Sequence, residues 1–241
     1  MPSVRVPGFM PSTSGFVFPN AWPSNPIRQF RLGNVASLNI GDAANGLCGG
    51  MSFTLADLHR AGLTPGTQPM PPAGSERYRY IVDRQIDSFA NGWLPLRFYQ
   101  LMSPTRSDRE SALAEFLGRV GLDRHSRTWT MVRIEWPQIR ATLDAGRLAM
   151  LGLVRVVGAD PMQLSLNHQV IAYGYDTDGT TVTLQVCDPN WPRDDGVKLG
   201  FDTADPKGIV QPTWSRSDTR PVCFFLAPYE PKDPVPFRTT P

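Results

Sequence analysis

Cys48 lies in the run Asn45-Gly46-Leu47-Cys48-Gly49-Gly50-Met51, where a helical pattern begins among glycines. A thiol at a helix start feels the positive end of the macrodipole and the unpaired first-turn N–H groups, and both favour the thiolate. Small neighbours leave room for a carbonyl to approach. His168 opens one strand-like run, and Asp188 follows the next. A thiolate nucleophile, an imidazole that takes and returns a proton, and a carboxylate that orients the imidazole are the parts of acyl transfer through a covalent intermediate. Two plainer readings stand beside this one. A lone Cys at a helix start is most often a small apolar residue, and a His–Asp pair at a sheet end is often only an ion pair.

Spacing ties the two downstream residues together. The segment Asp176-Thr177-Asp178-Gly179-Thr180 reads as a hairpin turn with a three-residue loop, Thr177 to Gly179, and a left-handed Gly. Asp176 then pairs with Thr180, and counting back along both strands places His168 opposite Asp188 on one face. The other histidines are less promising: His59 sits on the exposed side of the first helix, opposite the Met51/Leu55 stripe or at its edge, and His125 in a polar loop. Of the three cysteines, Cys187 should face away from Asp188 because strand neighbours alternate, so no metal or other cofactor is expected. So few cysteines in a chain this long make no disulfide scaffold.

The elements that must position these residues come in two blocks. Helices are predicted over 48–61, about 76–90, about 108–120 and after Pro137 to Gly146. The third should open with Ser107 and Glu110 as a capping box and bury Leu113, Phe116, Leu117 and Val120. Strands are predicted over 148–157, 168–176, 181–187, 197–201 and 221–227, all rich in β-branched and aromatic residues. Helices first and strands second is the layout of an α+β fold. One domain is expected over 1–241: an arm (1–46), a mainly helical part (47–146), a sheet part (147–230) and a tail (231–241). The arm carries Phe9, Phe16, Phe18, Trp22 and Phe30 among prolines. It should dock on the body in an extended form without regular pairing.

Bulk composition narrows the partners. The net charge of +2 leaves no basic footprint for nucleic acid or an anionic membrane surface. No apolar run approaches a membrane span and the N-terminus shows no secretory core, so the expectation is a cytoplasmic protein, or one exported without a cleaved signal.

A Gly-rich Cys at a helix start, a strand-borne His and Asp-Pro after the next strand resemble the papain-like cysteine peptidase superfamily. The nearest likeness is to the bacterial double-glycine-leader peptidases, which use Cys, His and Asp in that order, and to microbial proteins with a Gly-Leu-Cys-Gly-Gly core. It covers roughly 45–60 and 165–192. It implies Cys48 as nucleophile, His168 as base and acid, and Asp188 as orienter, with Asn190 the alternative orienter. Trp191 is similar to the Trp that shields the corresponding His–Asn bond in papain. The substrate it implies is a peptide or protein, cleaved at a peptide or amide bond, with acceptors other than water as a transferase variant. The sequence departs from the family at Asp42, six residues before Cys48, where a Gln donor is usual. An ionised carboxylate cannot donate, so the oxyanion would fall to the Asn45 amide and the Cys48 N–H, with Asn39 a weaker candidate. That departure supports a second reading, a catalytically weak or inactive papain-like scaffold that serves as a binding or toxin-associated module.

Overall fold

The structure, a computed structural model, describes residues 2–22, 28–32, 36–40, 46–119, 125–216 and 219–238, and only the backbone of 28–32, 36–40 and 118–119. In chain order the elements are β1 (Ser3–Arg5), α1 (Pro11–Ser14), β2 (Arg28–Leu32), β3 (Ala36–Ile40), α2 (Cys48–Arg60), α3 (Glu76–Ser88), α4 (Trp93–Met102), α5 (Ala112–Arg119), α6 (Arg127–Trp129) and α7 (Trp136–Asp144). The strands β4 (Ala149–Val154), β5 (His168–Asp178), β6 (Thr181–Cys187), β7 (Lys198–Asp202), β8 (Thr213–Trp214) and β9 (Cys223–Leu226) follow. The fold is α+β: helices precede a sheet ordered β8-β7-β6-β5-β4-β9, and every described pairing is antiparallel. Among the described residues no helix is long and apolar enough to cross a membrane.

The strand predictions lie within a few residues of what forms, but the β5–β6 register differs. Asp178 pairs with Thr181, so the loop is the two residues Gly179 and Thr180, with Gly179 at φ +58°. A bulge between Ala172 and Gly174 then shifts the ladder, which ends at Ile171↔Cys187. Asp188 therefore lies just beyond the ladder, not directly opposite His168. A left-handed Gly serves a two-residue hairpin as well as the three-residue one, which is why the turn residues alone did not fix the register.

The arm is docked, yet its backbone is partly regular. Ser3–Arg5 pairs with Gly174–Asp176 of β5, continuing the line of β4, and β2 pairs with β3 as a separate hairpin. Extended, proline-punctuated chain is free to add to a strand edge wherever its own N–H groups are present. Phe9, Phe16, Phe18 and Trp22 join the main core, and only the backbone of Phe30 is described.

Three helical expectations change. α4 was not anticipated: Pro95 looks like a breaker but falls in the first turn, where no N–H is needed. α5 begins at Ala112, because Glu110 accepts from Ser126 N (2.6 Å) and binds His125 Nδ1 (2.7 Å) instead of closing a capping box; Ser111 Oγ caps by accepting from Ala114 N. Starting later, α5 turns Leu113 and Phe116 outward, at 66% and 60% exposure, where burial was expected; Leu117 is half-buried, and Val120 lies outside the described residues. The helix before Gly146 is longer than expected, running from Arg127 through a π-turn (Thr130–Glu135) into α7, where Pro137 sits in the first turn.

α2 is buried from Cys48 to Leu58, packed between α3 and β5. The glycines at its start are explained by this packing. A Cβ on Gly50 would stand 2.1 Å from the Ile81 carbonyl oxygen, and one on Gly49 2.3 Å from Gln169 Nε2. Backbone at Ile81 cannot move aside as a side chain can. Gly50→Ala is therefore expected to destabilise by about 3 kcal/mol, lowering Tm by roughly 6–12 °C. Thermal unfolding checks this, and an unchanged Tm would show that α2 and α3 are not held at this distance.

Candidate active site

Cys48 is the first helical residue of α2, with Leu47 at the cap. Met51 N donates to the Leu47 carbonyl (2.8 Å) and Leu47 N to Asn20 Oδ1 (2.7 Å), which fixes the turn presenting the thiol. Behind it, Gly50 N donates to Gln85 Oε1 (2.8 Å), Gln169 Nε2 to Ser88 Oγ (3.1 Å) and Ser88 Oγ to the Gln85 carbonyl (2.7 Å). These buried polar groups fasten the start of α2 to both α3 and β5, and a satisfied buried network of this kind defines one geometry.

His168 opens β5 and Asp188 follows β6, both buried. Their meeting survives the change of register, because Asp188 Oδ1 reaches His168 Nε2 at 2.7 Å. Asp188 Oδ1 also accepts from Asn190 N (2.8 Å). With Nε2 engaged by the carboxylate, the contact of the ring with Cys48 falls to Nδ1. A proton held on Nε2 towards Asp188 leaves Nδ1 as the nitrogen that can exchange a proton with sulfur.

The electrostatics follow from burial opposed by pairing. Burial pushes the Cys48 thiol up, but the charge and hydrogen bond of His168, helped by the Gln169 N–H, outweigh it and hold the thiol below its ordinary value. Burial pushes His168 down, but Asp188 and Cys48 raise it to about 9. Burial raises Asp188, while the charge and hydrogen bond of His168, the Asn190 N–H and the Arg155 charge lower it below the ordinary carboxylate range. No cation offsets burial at Cys187, and at Cys223 the charges of Arg127, Arg106 and Arg97 do not outweigh it. Desolvation lifts Cys187 far above the usual thiol range and Cys223 to about 12.

The remaining sequence candidates separate. Asn190 does not meet the His168 ring; its N–H supports Asp188, and its Oδ1 accepts from Asn20 Nδ2 (3.4 Å). Trp191 closes the same turn, its N–H on the Asp188 carbonyl (2.9 Å) and the Arg216 guanidinium 5.6 Å from its ring centre. Asp42 and Asn45 lie outside the described residues, and Asn39 is on β3, where only the backbone is described.

Asn20 was missed by the sequence reading. Its Oδ1 accepts from both Leu47 N and Trp22 Nε1 (3.1 Å), and its N–H donates to the Pro189 carbonyl (2.9 Å). One arm residue thus clasps the turn before Cys48 to the turn after Asp188. Asn20→Ala leaves two donors without an acceptor and is expected to destabilise by about 1–3 kcal/mol. Asn20→Asp keeps the accepting oxygen and should lose less. Urea unfolding distinguishes them, and equal losses would shift the weight to the Asn190 contact. No family model matches this chain, and no match is found among curated proteins or solved structures.

Proposed function

We propose that the protein is a papain-like thiol hydrolase acting on a peptide or other amide bond, with Cys48 as nucleophile, His168 as base and acid and Asp188 as orienter. The observation that carries this reading is the opposed perturbation of the thiols: Cys48 is lowered by His168, whereas Cys187 and Cys223 are raised. In the reaction the Cys48 thiolate attacks the carbonyl carbon, and the Cys48 N–H, with the Asn45 amide, receives the charge on oxygen. The proton on His168 Nδ1 passes to the leaving amine as the tetrahedral species collapses to a thioester. His168 then takes a proton from water, which attacks the thioester and releases the acid and the thiol.

A non-enzymatic scaffold is the second reading. It is favoured by enclosure: Cys48, His168 and Asp188 are exposed by only 8%, 4% and 1%. p-Nitrophenyl acetate separates the two. A hydrolase is expected to release a burst of one nitrophenolate per chain and to carry one acetyl group on Cys48 by peptide mapping. Cys48→Ala should show neither, and Asp188→Asn should slow the burst by about 10²- to 10⁴-fold. Absence of any burst in the intact protein would favour the scaffold.

A further inference from the structure

A cavity of about 730 Å³ is at the far end of α2 from the thiol. His59 and Arg60 line it at the end of the helix that Cys48 begins, which is about 18 Å of helical rise away. Its size is that of a small-molecule site. The floor is apolar, formed by Leu148, Ala149, Met150, Leu226 and Ala227. The exposed ring of Trp93 adds an aromatic wall.

The charges on the cavity are one-sided. Arg97 binds Glu135 Oε1 at 2.7 Å, and Glu135 Oε2 accepts from Leu226 N (2.9 Å), so that pair balances itself within the wall. His59 is lowered by burial and adds no charge near neutral pH. Arg60 and Arg147 remain, both exposed, and among the described residues neither is paired with a carboxylate. Glu230 lies between the lining residues Tyr229 and Pro231 but does not itself line the cavity. Glu135 is the one carboxylate lining the cavity, so it keeps an excess of two positive charges, equal to the net charge of the whole chain.

We propose that this cavity is a second binding site, distinct from the thiol, for an organic anion with an apolar body. The ligand is a carboxylate, sulfonate or phosphate on an aromatic or acyl frame. The frame lies on the β4–β9 floor against Trp93, and the anion meets Arg60 and Arg147 at the rim. Guanidinium groups suit such anions because their N–H fork matches two oxygens at once.

The test titrates the full chain with 1-anilinonaphthalene-8-sulfonate, following its fluorescence, and uses N-phenyl-1-naphthylamine as the uncharged counterpart. Saturable binding of the sulfonate is expected, displaced by dodecanoate and not by dodecanol. Both arginines are exposed, so an Arg60→Ala, Arg147→Ala double variant should keep its fold. It should bind the sulfonate about tenfold more weakly, as loss of two exposed charge contacts implies, and the neutral probe within about twofold of the original affinity. Alkylating Cys48 should leave the titration unchanged. The proposal is overturned if the double variant binds the sulfonate as tightly as the original, if dodecanol displaces as well as dodecanoate, if alkylation abolishes binding, or if binding never saturates.

Discussion

Treated with iodoacetamide at pH 6 in its native state, the protein is expected to lose the Cys48 thiol more than about a hundredfold faster than either other thiol. All three cysteines are buried, so burial alone does not discriminate among them. The difference is the hydrogen-bonded imidazole. Cys48 has the raised imidazole of His168 against it and the Gln169 N–H on sulfur, whereas burial pushes Cys223 up to about 12 despite three nearby arginines and leaves it a thiol at pH 6. The pH profile carries a second expectation. His168 has a folded pKa above its unfolded value, so the stability it contributes is complete below about 6.5 and is lost as pH rises through about 9. Cys48 and Asp188 are lowered, so their contribution is present above their unfolded values and is lost as pH falls through the folded ones. The ion pair therefore spans a plateau whose alkaline limit is near pH 9. Alkylation removes the thiolate that helps to raise His168, so the imidazole pKa, followed by NMR, should fall in the modified protein. Peptide mapping settles the site. Equal labelling of the three thiols, or no labelling of Cys48 until the chain is unfolded, would remove the basis for an activated nucleophile.

The parts of this site were legible in the sequence to the extent that their signals are local. A glycine-rich helix start marks Cys48, a strand opening marks His168, and Asp188 stands one hairpin away. Even the wrong loop length did little harm. The bulge at Tyr173 and the shorter loop shift the ladder, yet Asp188 leaves the strand just where its side chain can turn back to Nε2. What was not legible depends on contacts distant in sequence. Asn20 meets Leu47 across 27 residues and Asn190 across 170, and nothing about an Asn in a proline-rich arm announces that role. Gln169 shows a fainter signal, as a polar residue in a largely apolar strand, whereas Gln85 and Ser88 sit among the many polar residues of α3 and give none. The Gly49–Gly50 pair was legible as a requirement for small residues, but its cause is the approach of Ile81 and Gln169, not an open path for substrate.

Residues 2–22 form part of the structure that holds the thiol, which makes their removal the most disruptive change expected. Val6, Phe9, Phe16, Phe18 and Trp22 are each 8% exposed or less, and Phe18 packs edge-on to Trp22, which in turn lies against Tyr78 of α3. Burial of side chains of this size contributes about 1.5–3 kcal/mol each, together roughly 8–15 kcal/mol. A whole domain retains only about 5–15 kcal/mol of net stability. To this are added the pairing of β1 on β5 and the Asn20 clasp on Leu47. Deleting residues 2–22 is therefore expected to give a chain that does not unfold cooperatively and exposes apolar surface, with Cys48 losing its preferential alkylation because the turn that presents it is no longer held. A removable inhibitory segment predicts the opposite result, an unchanged Tm and faster alkylation of Cys48. Calorimetry on the truncated chain, with a synthetic peptide of residues 1–22 added back, decides between them. Recovery of a cooperative transition and of selective labelling on adding the peptide is the expected outcome. A truncated chain that melts near the full-length temperature without the peptide would show that the arm is dispensable to the core.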